Sequence, residues 1–272
     1  MKSYSLFFVL LLATGMFAQQ PSTPAPQASA PAQEPAKRAP HPKTQAEAND
    51  YKAAFVLTGG AASEKAANDF AAKYPDSELR EGLYERAMHE YQTENAPEKV
   101  VAMAQKVLEL DSTNSVALVV TAGALSDSLK ENDPDQQKVK EILTNANLAL
   151  QTIDTSFVPP GQVTPQQLAM FKNMLKAGAH SALGVTNLKM GNYAGAETEL
   201  KAAIDLTKAQ PDPNTYYELA LAQDRQKKFP EALASVNEGL KLAASDPEMT
   251  RLLTAERDKV NKDAKGDQSP IK

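Results

Sequence analysis

Residues that could carry out acid–base, nucleophilic or metal chemistry are few and scattered in this chain of 272 residues. The absence of cysteine excludes disulfides, thiolate metal ligands and a cysteine nucleophile. The three histidines are His41, His89 and His180, and none has a second histidine at the spacing of a metal-binding pair. His180 lies at an apolar seam position, which favours a packed core histidine. We therefore expect no metal site.

Compact motifs of common active sites are also absent. The sequence contains no H-E-x-x-H, no G-x-S-x-G and no G-x-x-x-x-G-K-[ST]. The pair Gly59–Gly60 has no following lysine and no preceding strand, so it indicates a turn and not a phosphate-binding loop. Carboxylates such as Glu197 and Glu231 are interpreted as solvated side chains on polar helix faces. These observations predict a protein that is not an enzyme and uses no cofactor.

The composition favours an all-α fold. Hydrophobic residues make up 42% of the chain, but aromatic residues only 6%, and there is no tryptophan. Alanine and leucine are abundant and favour helices, whereas β-rich domains depend on β-branched and aromatic residues. A net charge of −5 without clustered basic residues gives no reason to expect nucleic-acid binding.

The N-terminus has the pattern of a secretory signal peptide. Lys2 precedes the apolar run Leu6–Leu12, and residues 13–18 are mostly small, which predicts a signal of residues 1–18 cleaved near Ala18. The apolar run is too short for a membrane span of about 20 residues. We expect a periplasmic or secreted protein; the alternative is an uncleaved membrane anchor, in which case the chain would contact a membrane.

Residues 19–45 are predicted to be a Pro/Ala-rich disordered linker. Seven prolines alternate mostly with alanine, glutamine and serine between residues 21 and 42. Proline does not sustain a helix, and these residues offer little apolar surface to bury. The alternative is a semi-rigid spacer that holds the folded part away from a surface.

Two later stretches repeat one pattern with an offset of 36 residues: 180–206 and 216–242. Small residues recur where helices must approach closely, and large apolar residues recur where a seam must be filled. The matched pairs are Leu183 with Leu219, Gly184 with Ala220, Tyr193 with Phe229, Ala196 with Ala232, Ala203 with Gly239 and Ile204 with Leu240.

This pattern resembles the tetratricopeptide repeat (TPR), in which an aromatic, a Leu-Gly pair, a turn and further small and bulky residues recur about every 34 residues. Leu183–Gly184, the turn at 191–193 and Ala196 match it in the first copy. Tyr216, Leu219 and Phe229 match it in the second. The resemblance implies a right-handed α-solenoid of stacked antiparallel helix pairs.

The predicted helical domain covers residues 46–262. It consists of a hairpin (46–80), four repeats (81–114, 115–152, 165–210 and 213–246) and a capping helix (247–260), and a disordered tail covers 263–272. A capping side chain followed by proline predicts the start of four helices. These signals are Asp133–Pro134, Thr164–Pro165, Asp212–Pro213 and Asp246–Pro247.

The resemblance further implies that the first helix of each repeat lines a groove that receives a segment of a partner protein or peptide. Tyr217 adjoins Tyr216, which already fills the seam, so Tyr217 is either a groove anchor or an ordinary half-exposed tyrosine. The expected function is a non-enzymatic protein-interaction scaffold of the bacterial cell envelope; the alternative is a membrane-tethered or self-associating spacer. The groove residues implied are His89, Ser181, Val185, Lys189, Asn214, Tyr217, Leu221 and Arg225.

Overall fold

The computed structural model describes residues 38, 40–159 and 163–267, and within them the chain forms eleven helices and no strand. The predicted all-α class is confirmed. The predicted signal peptide and most of the predicted linker lie outside the described residues. The helices are α1 (Gln45–Phe55), α2 (Gly60–Lys73), α3 (Arg80–Thr93), α4 (Pro97–Leu110), α5 (Ser115–Asp127), α6 (Gln136–Ser156), α7 (Pro165–Lys189), α8 (Tyr193–Leu206), α9 (Pro213–Arg225), α10 (Phe229–Leu242) and α11 (Pro247–Asp267).

Helices pack mainly against their neighbours along the chain. The most extensive contacts join α3 with α4, α5 with α6, α7 with α8, and α9 with α10, which are the helices of the four predicted repeats. Some helices also contact the next helix but one along the chain, and both helices are then odd-numbered. These pairs are α1 with α3, α5 with α7, α7 with α9, and α9 with α11. Residues of α5, α7, α9 and α11 therefore form one continuous row, which we call the odd-helix face.

The core is divided into clusters that lie between successive helix pairs. One cluster around Leu83 and Val107 joins α2 to α5, and another around Ile142 and Ile153 joins α5, α6 and α7. Two smaller clusters join α8 to α9 and α9 to α11. A core of this kind is typical of stacked units that contact only their neighbours.

Helix starts follow local capping chemistry. The side chains of Thr164 and Asp212 accept hydrogen bonds from the first-turn N–H groups of α7 and α9, as predicted. Asp246 does the same for α11 by accepting from the N–H groups of residues 248 and 249. The prediction at Asp133–Pro134 was wrong, because Asp135 caps α6 instead by accepting from the N–H groups of residues 137 and 138.

Three predicted boundaries also differ from the structure. Helix α6 continues to Ser156, beyond the predicted end at 152, because Ile153 is fully buried. Helix α11 continues to Asp267, so the tail predicted to be disordered from 263 is helical through 267; an ion pair of 3.0 Å between Lys259 and Asp263 spans this turn. The end of the predicted linker is held in place, since Arg38 donates to Glu78 at 2.5 Å and α1 already begins at Gln45.

The α7–α8 pair depends on a glycine at its closest approach. A Cβ atom added to Gly184 would lie 2.6 Å from Cγ of Leu200, and Leu200 is fully buried. Gly239 of α10 is similar, with a Cβ position 2.8 Å from a Cδ of Leu253 in α11. Small residues at these seams therefore set the distance between helices.

We expect Gly184→Val to destabilise the fold by about 1–3 kcal/mol, because the seam has no room for the added methyl groups. Gly123→Val is the matched control, since the space around the Cβ position of Gly123 is open within 4 Å. Urea unfolding followed by circular dichroism measures both variants. Equal unfolding midpoints would show that the α7–α8 seam is not tightly packed.

A buried carboxylate fastens the α7–α8 pair to the α9–α10 pair. Glu197 is 7% exposed and accepts hydrogen bonds from Lys201 at 2.6 Å, Lys228 at 2.7 Å and the Gln226 amide at 2.9 Å. Burial opposes ionisation of this carboxyl, but the three donors outweigh burial and lower its pKa to about 2. The expectation that Glu197 is a solvated surface residue was therefore wrong.

We expect Glu197→Gln to lower the free energy of unfolding by about 1–2 kcal/mol at pH 7. The folded-state pKa lies below the usual 4.5, so this contribution is complete above about pH 4.5 and is lost as the pH falls towards 2. Urea titrations of both proteins between pH 3 and 7 measure the difference. A difference that stays constant over this range would contradict the assigned role of the carboxylate.

Candidate functional site

The residues predicted to line a groove are partly brought together by the structure. Those on α7 (Ser181 and Lys189) and α9 (Asn214, Tyr217, Leu221 and Arg225) lie on neighbouring odd-numbered helices and are half-buried or exposed. Val185 is 7% exposed, because α7 packs against both α5 and α9, and this side chain offers almost no surface to a partner. His89 lies on α3, apart from the others.

Tyr217 lies near the centre of the α9 part of this face. Its ring packs against the buried cluster that includes Val236 and Leu253, so its own chain covers it in part. Burial raises the pKa of the phenol, and the negative charges of Glu256, Glu218 and Glu131 raise it further. Tyr217 is thus a half-covered aromatic whose pKa responds to carboxyl groups of α9, α11 and the α5–α6 loop, with Arg251 opposing their effect.

Two carboxyl groups on this face, those of Glu218 and Asp127, were missed by the sequence interpretation. Burial raises the pKa of Glu218 well above its usual value, and the charges of Asp127 and Asp212 add to this effect. Burial also raises the pKa of Asp127, to about 6, although the charge of Lys189 opposes the shift. Asn214 donates to Glu218 at 3.1 Å.

The position of these groups follows from the stacking. Asp127, Lys189 and Arg225 are the last residues of α5, α7 and α9, so three successive odd-numbered helices end side by side. Only Lys189 and Arg225 were included in the predicted site. Asp127 occupies the same position in its repeat as Lys189 and Arg225 do in theirs, so the repeat pattern could have identified it.

The loop between α5 and α6 reaches over the same helix ends. Arg225 forms an ion pair of 3.0 Å with Glu131 of this loop. The N–H of Asn132 donates to the carbonyl oxygen of Lys189 at 3.1 Å and ties the loop to the end of α7. Polar residues of the α5–α6 loop therefore contribute to the odd-helix face.

His89 lies in a structural cluster of the first helices. Its Nδ1 atom is buried without a hydrogen-bond partner, and burial, with help from the charge of Arg86, lowers the pKa of the ring. Arg86 pairs with Glu90 at 2.8 Å, and Glu90 accepts from the N–H of Gly59 at 2.6 Å. Gly59 (φ 89°) lies in the predicted turn. The N–H groups of Gly59 and Gly60 at the start of α2 donate to the carboxylates of Glu90 in α3 and of Glu94 just after it.

Within the described ranges, no group of three or more His, Asp or Glu side chains could hold a metal ion. None of the described helices combines the length and the apolar character that a membrane span needs. The side chains of the odd-helix face carry carboxyl, amide, ammonium and phenol groups, which can form hydrogen bonds and ion pairs.

No model of a known protein family matches the chain. No curated protein matches it either.

We expect Asp127→Asn to raise the free energy of unfolding at pH 7.5 by about 1–2 kcal/mol. The folded-state pKa of Asp127 lies above its usual 3.8, so ionisation destabilises the fold increasingly as the pH rises through about 6. The gain should shrink as the pH falls from 6 to 4, because the wild-type carboxyl becomes neutral. Urea unfolding at pH 4, 6 and 7.5 measures the gain, and a loss of stability at pH 7.5 would contradict the desolvated environment.

Proposed function

We propose that this chain is an exported scaffold of the tetratricopeptide type, with no enzymatic role, that binds a segment of another protein along the odd-helix face. In this proposal the stacked helix pairs form a right-handed solenoid, and the odd-helix face is its concave groove. The repeated pattern at 180–206 and 216–242 supports the family, and the contacts between successive odd-numbered helices support a continuous groove.

The observation that carries the proposal is the row of odd-numbered helices, on which Tyr217, Leu221 and other polar and apolar side chains stay partly exposed. Asp127 and Glu218 come from different helix pairs, and burial raises the pKa of both. Retaining charged groups in such an environment lowers stability, and binding sites are where proteins commonly retain groups of this kind. Tyr217 and Asn214 beside them add an aromatic surface and an amide, which suit recognition of a peptide.

Export is proposed from the sequence. Lys2, the apolar run Leu6–Leu12 and the small residues after it form the signal pattern, and a proline-rich segment follows. The periplasm or an equivalent exported compartment is the proposed location. The contacts of Arg38 with Glu78 and of Lys43 with the Asp76 carbonyl place the end of the proline-rich segment beside the α2–α3 connection.

We expect a double variant, Tyr217→Leu with Leu221→Ser, to lose a partner that the wild-type chain retains from an envelope extract of its own cells. Both changes remove contact groups on α9 while leaving its helix-forming residues in place. Leu242→Ser is the control, because Leu242 is 36% exposed and lies on α10, outside the odd-helix face. Affinity capture followed by mass spectrometry measures retention, and circular dichroism checks that each variant stays helical.

Equal capture by the wild type and the double variant would place the binding surface elsewhere. Retention of nothing but the chain itself would replace the scaffold with self-association.

A further inference from the structure

We propose that a cleft between α9 and α11 binds an acidic segment of the partner, and that the α5–α6 loop is a strap that this segment displaces. The inference rests on the scaffold function and specifies the charge of the partner and a contact that opposes its binding. The strap consists of residues 128–135, between the end of α5 and the start of α6. Three observations carry the inference: the lining of the cleft, the position of Arg225, and the contacts of the strap.

The cleft has a volume of about 470 Å³, and its lining carries more positive than negative charge. Four basic side chains line it against two acidic ones, and Phe229 adds an aromatic ring. A positive surplus of this kind favours an acidic partner. The basic residues are Arg225, Lys227, Lys259 and Lys262, and the acidic residues are Asp224 and Asp263.

Both acidic side chains of the lining bind the same lysine. Nζ of Lys259 donates to Asp224 and, at 3.0 Å, to Asp263. The side chain of Asp224 is only 3% exposed, so it presents almost no surface to a ligand in the cleft. One ammonium group therefore serves both carboxylates. The positive charge that a ligand meets comes from the other basic side chains, among them the exposed Lys262 of α11.

Arg225 connects the cleft to the strap. It lines the cleft, and it also forms an ion pair of 3.0 Å with Glu131 of the strap. The side chains of Arg225 and Glu131 are 38% and 45% exposed, and exposed ion pairs of this kind are weak and exchange readily. A guanidinium group binds carboxylates through parallel N–H donors. Glu131 therefore occupies a group that an acidic side chain of a partner in the cleft would also use.

The strap is anchored at its base and reaches two later helices with its tip. Leu129 at the base is buried in the cluster that joins α5, α6 and α7. At the tip, the N–H of Asn132 donates to the carbonyl oxygen of Lys189 at the end of α7, and Glu131 pairs with Arg225 at the end of α9. A buried base and an exposed tip allow the tip to leave the helix ends while the loop stays attached to the core.

The experiment measures the fluorescence anisotropy of labelled twelve-residue Gly-Ser peptides that carry four Glu residues, four Lys residues or no charge. The full chain should bind the acidic peptide on the order of tenfold more tightly than the basic one, with affinity that falls as salt rises. Lys262→Gln should weaken binding of the acidic peptide by about three- to tenfold. Lys106→Gln is the matched control, because Lys106 lies on α4, where it pairs with Glu109.

The strap is tested by Glu131→Gln, which should strengthen binding of the acidic peptide by about threefold because it removes the competing carboxylate. The same change combined with Arg225→Gln should have no further effect, since both carboxylates use this guanidinium group. Glu109→Gln on α4 is the matched control, because it changes the net charge equally. Binding of the acidic peptide should also speed hydrogen exchange of the Asn132 amide, which the Lys189 carbonyl protects.

Equal effects of each variant and its control on α4 would reduce the result to net charge and overturn the proposed site. Tighter binding of the basic peptide would overturn it as well. If Glu131→Gln acts equally with and without Arg225, or if exchange at Asn132 does not change on binding, the strap is not displaced and the proposal fails. If the acidic peptide does not bind but the chain still captures a partner that the Tyr217/Leu221 variant loses, the acidic preference is wrong and the scaffold function stands. Failure of both assays overturns both proposals.

Discussion

The structure depends on the inability of a single helix pair to bury its own apolar surface. Each pair covers the pair before it, and the core is accordingly divided into clusters at successive seams. Glycines at these seams allow the helix backbones to approach closely. Gly184 lies against Leu200, and Gly239 lies against Leu253. The odd-numbered helices then become neighbours, and a continuous face across four units follows from the same stacking.

Polar groups at the seams fix how one unit sits on the next. The buried Asn114 caps α5 through its side-chain oxygen while its amide donates to Glu81 and Glu85 of α3, each at 2.7 Å. Within one pair, Ser235 of α10 donates to Gln223 of α9 at 2.7 Å. Apolar contacts alone tolerate small slips between helices, whereas these hydrogen bonds form in one arrangement only, so they define the register of the stack.

The helical framework could be predicted because its signals are local. A capping side chain and proline locate the starts of α7 and α9, and the periodicity of the repeats places the buried faces. The start of α6 could not be predicted in this way, because both Asp133 and Asp135 are suitable N-cap residues. Only the structure shows that Asp135 caps the helix. Asn214 and Tyr217 of the predicted site are partly exposed on the odd-helix face. Val185 is buried, because the depth of packing between α5, α7 and α9 depends on three helices and not on one. Glu218 was missed for a related reason, as its desolvation comes from neighbours far away in the sequence.

Two glutamates show that the neighbouring helices decide in which direction the pKa of a carboxyl group at a seam is shifted. Glu197 and Glu218 are the same residue type at helix–helix seams, yet the pKa of Glu197 is lowered to about 2 and that of Glu218 is raised. The difference lies in the donors: two lysines and an amide surround Glu197, whereas Glu218 has one amide and two further carboxylates nearby. Because burial raises the pKa of Glu218, ionisation of this carboxyl opposes folding, whereas ionisation of Glu197 favours it. The same residue type therefore acts in opposite ways at two seams, according to the donors and charges that the neighbouring helices bring to it.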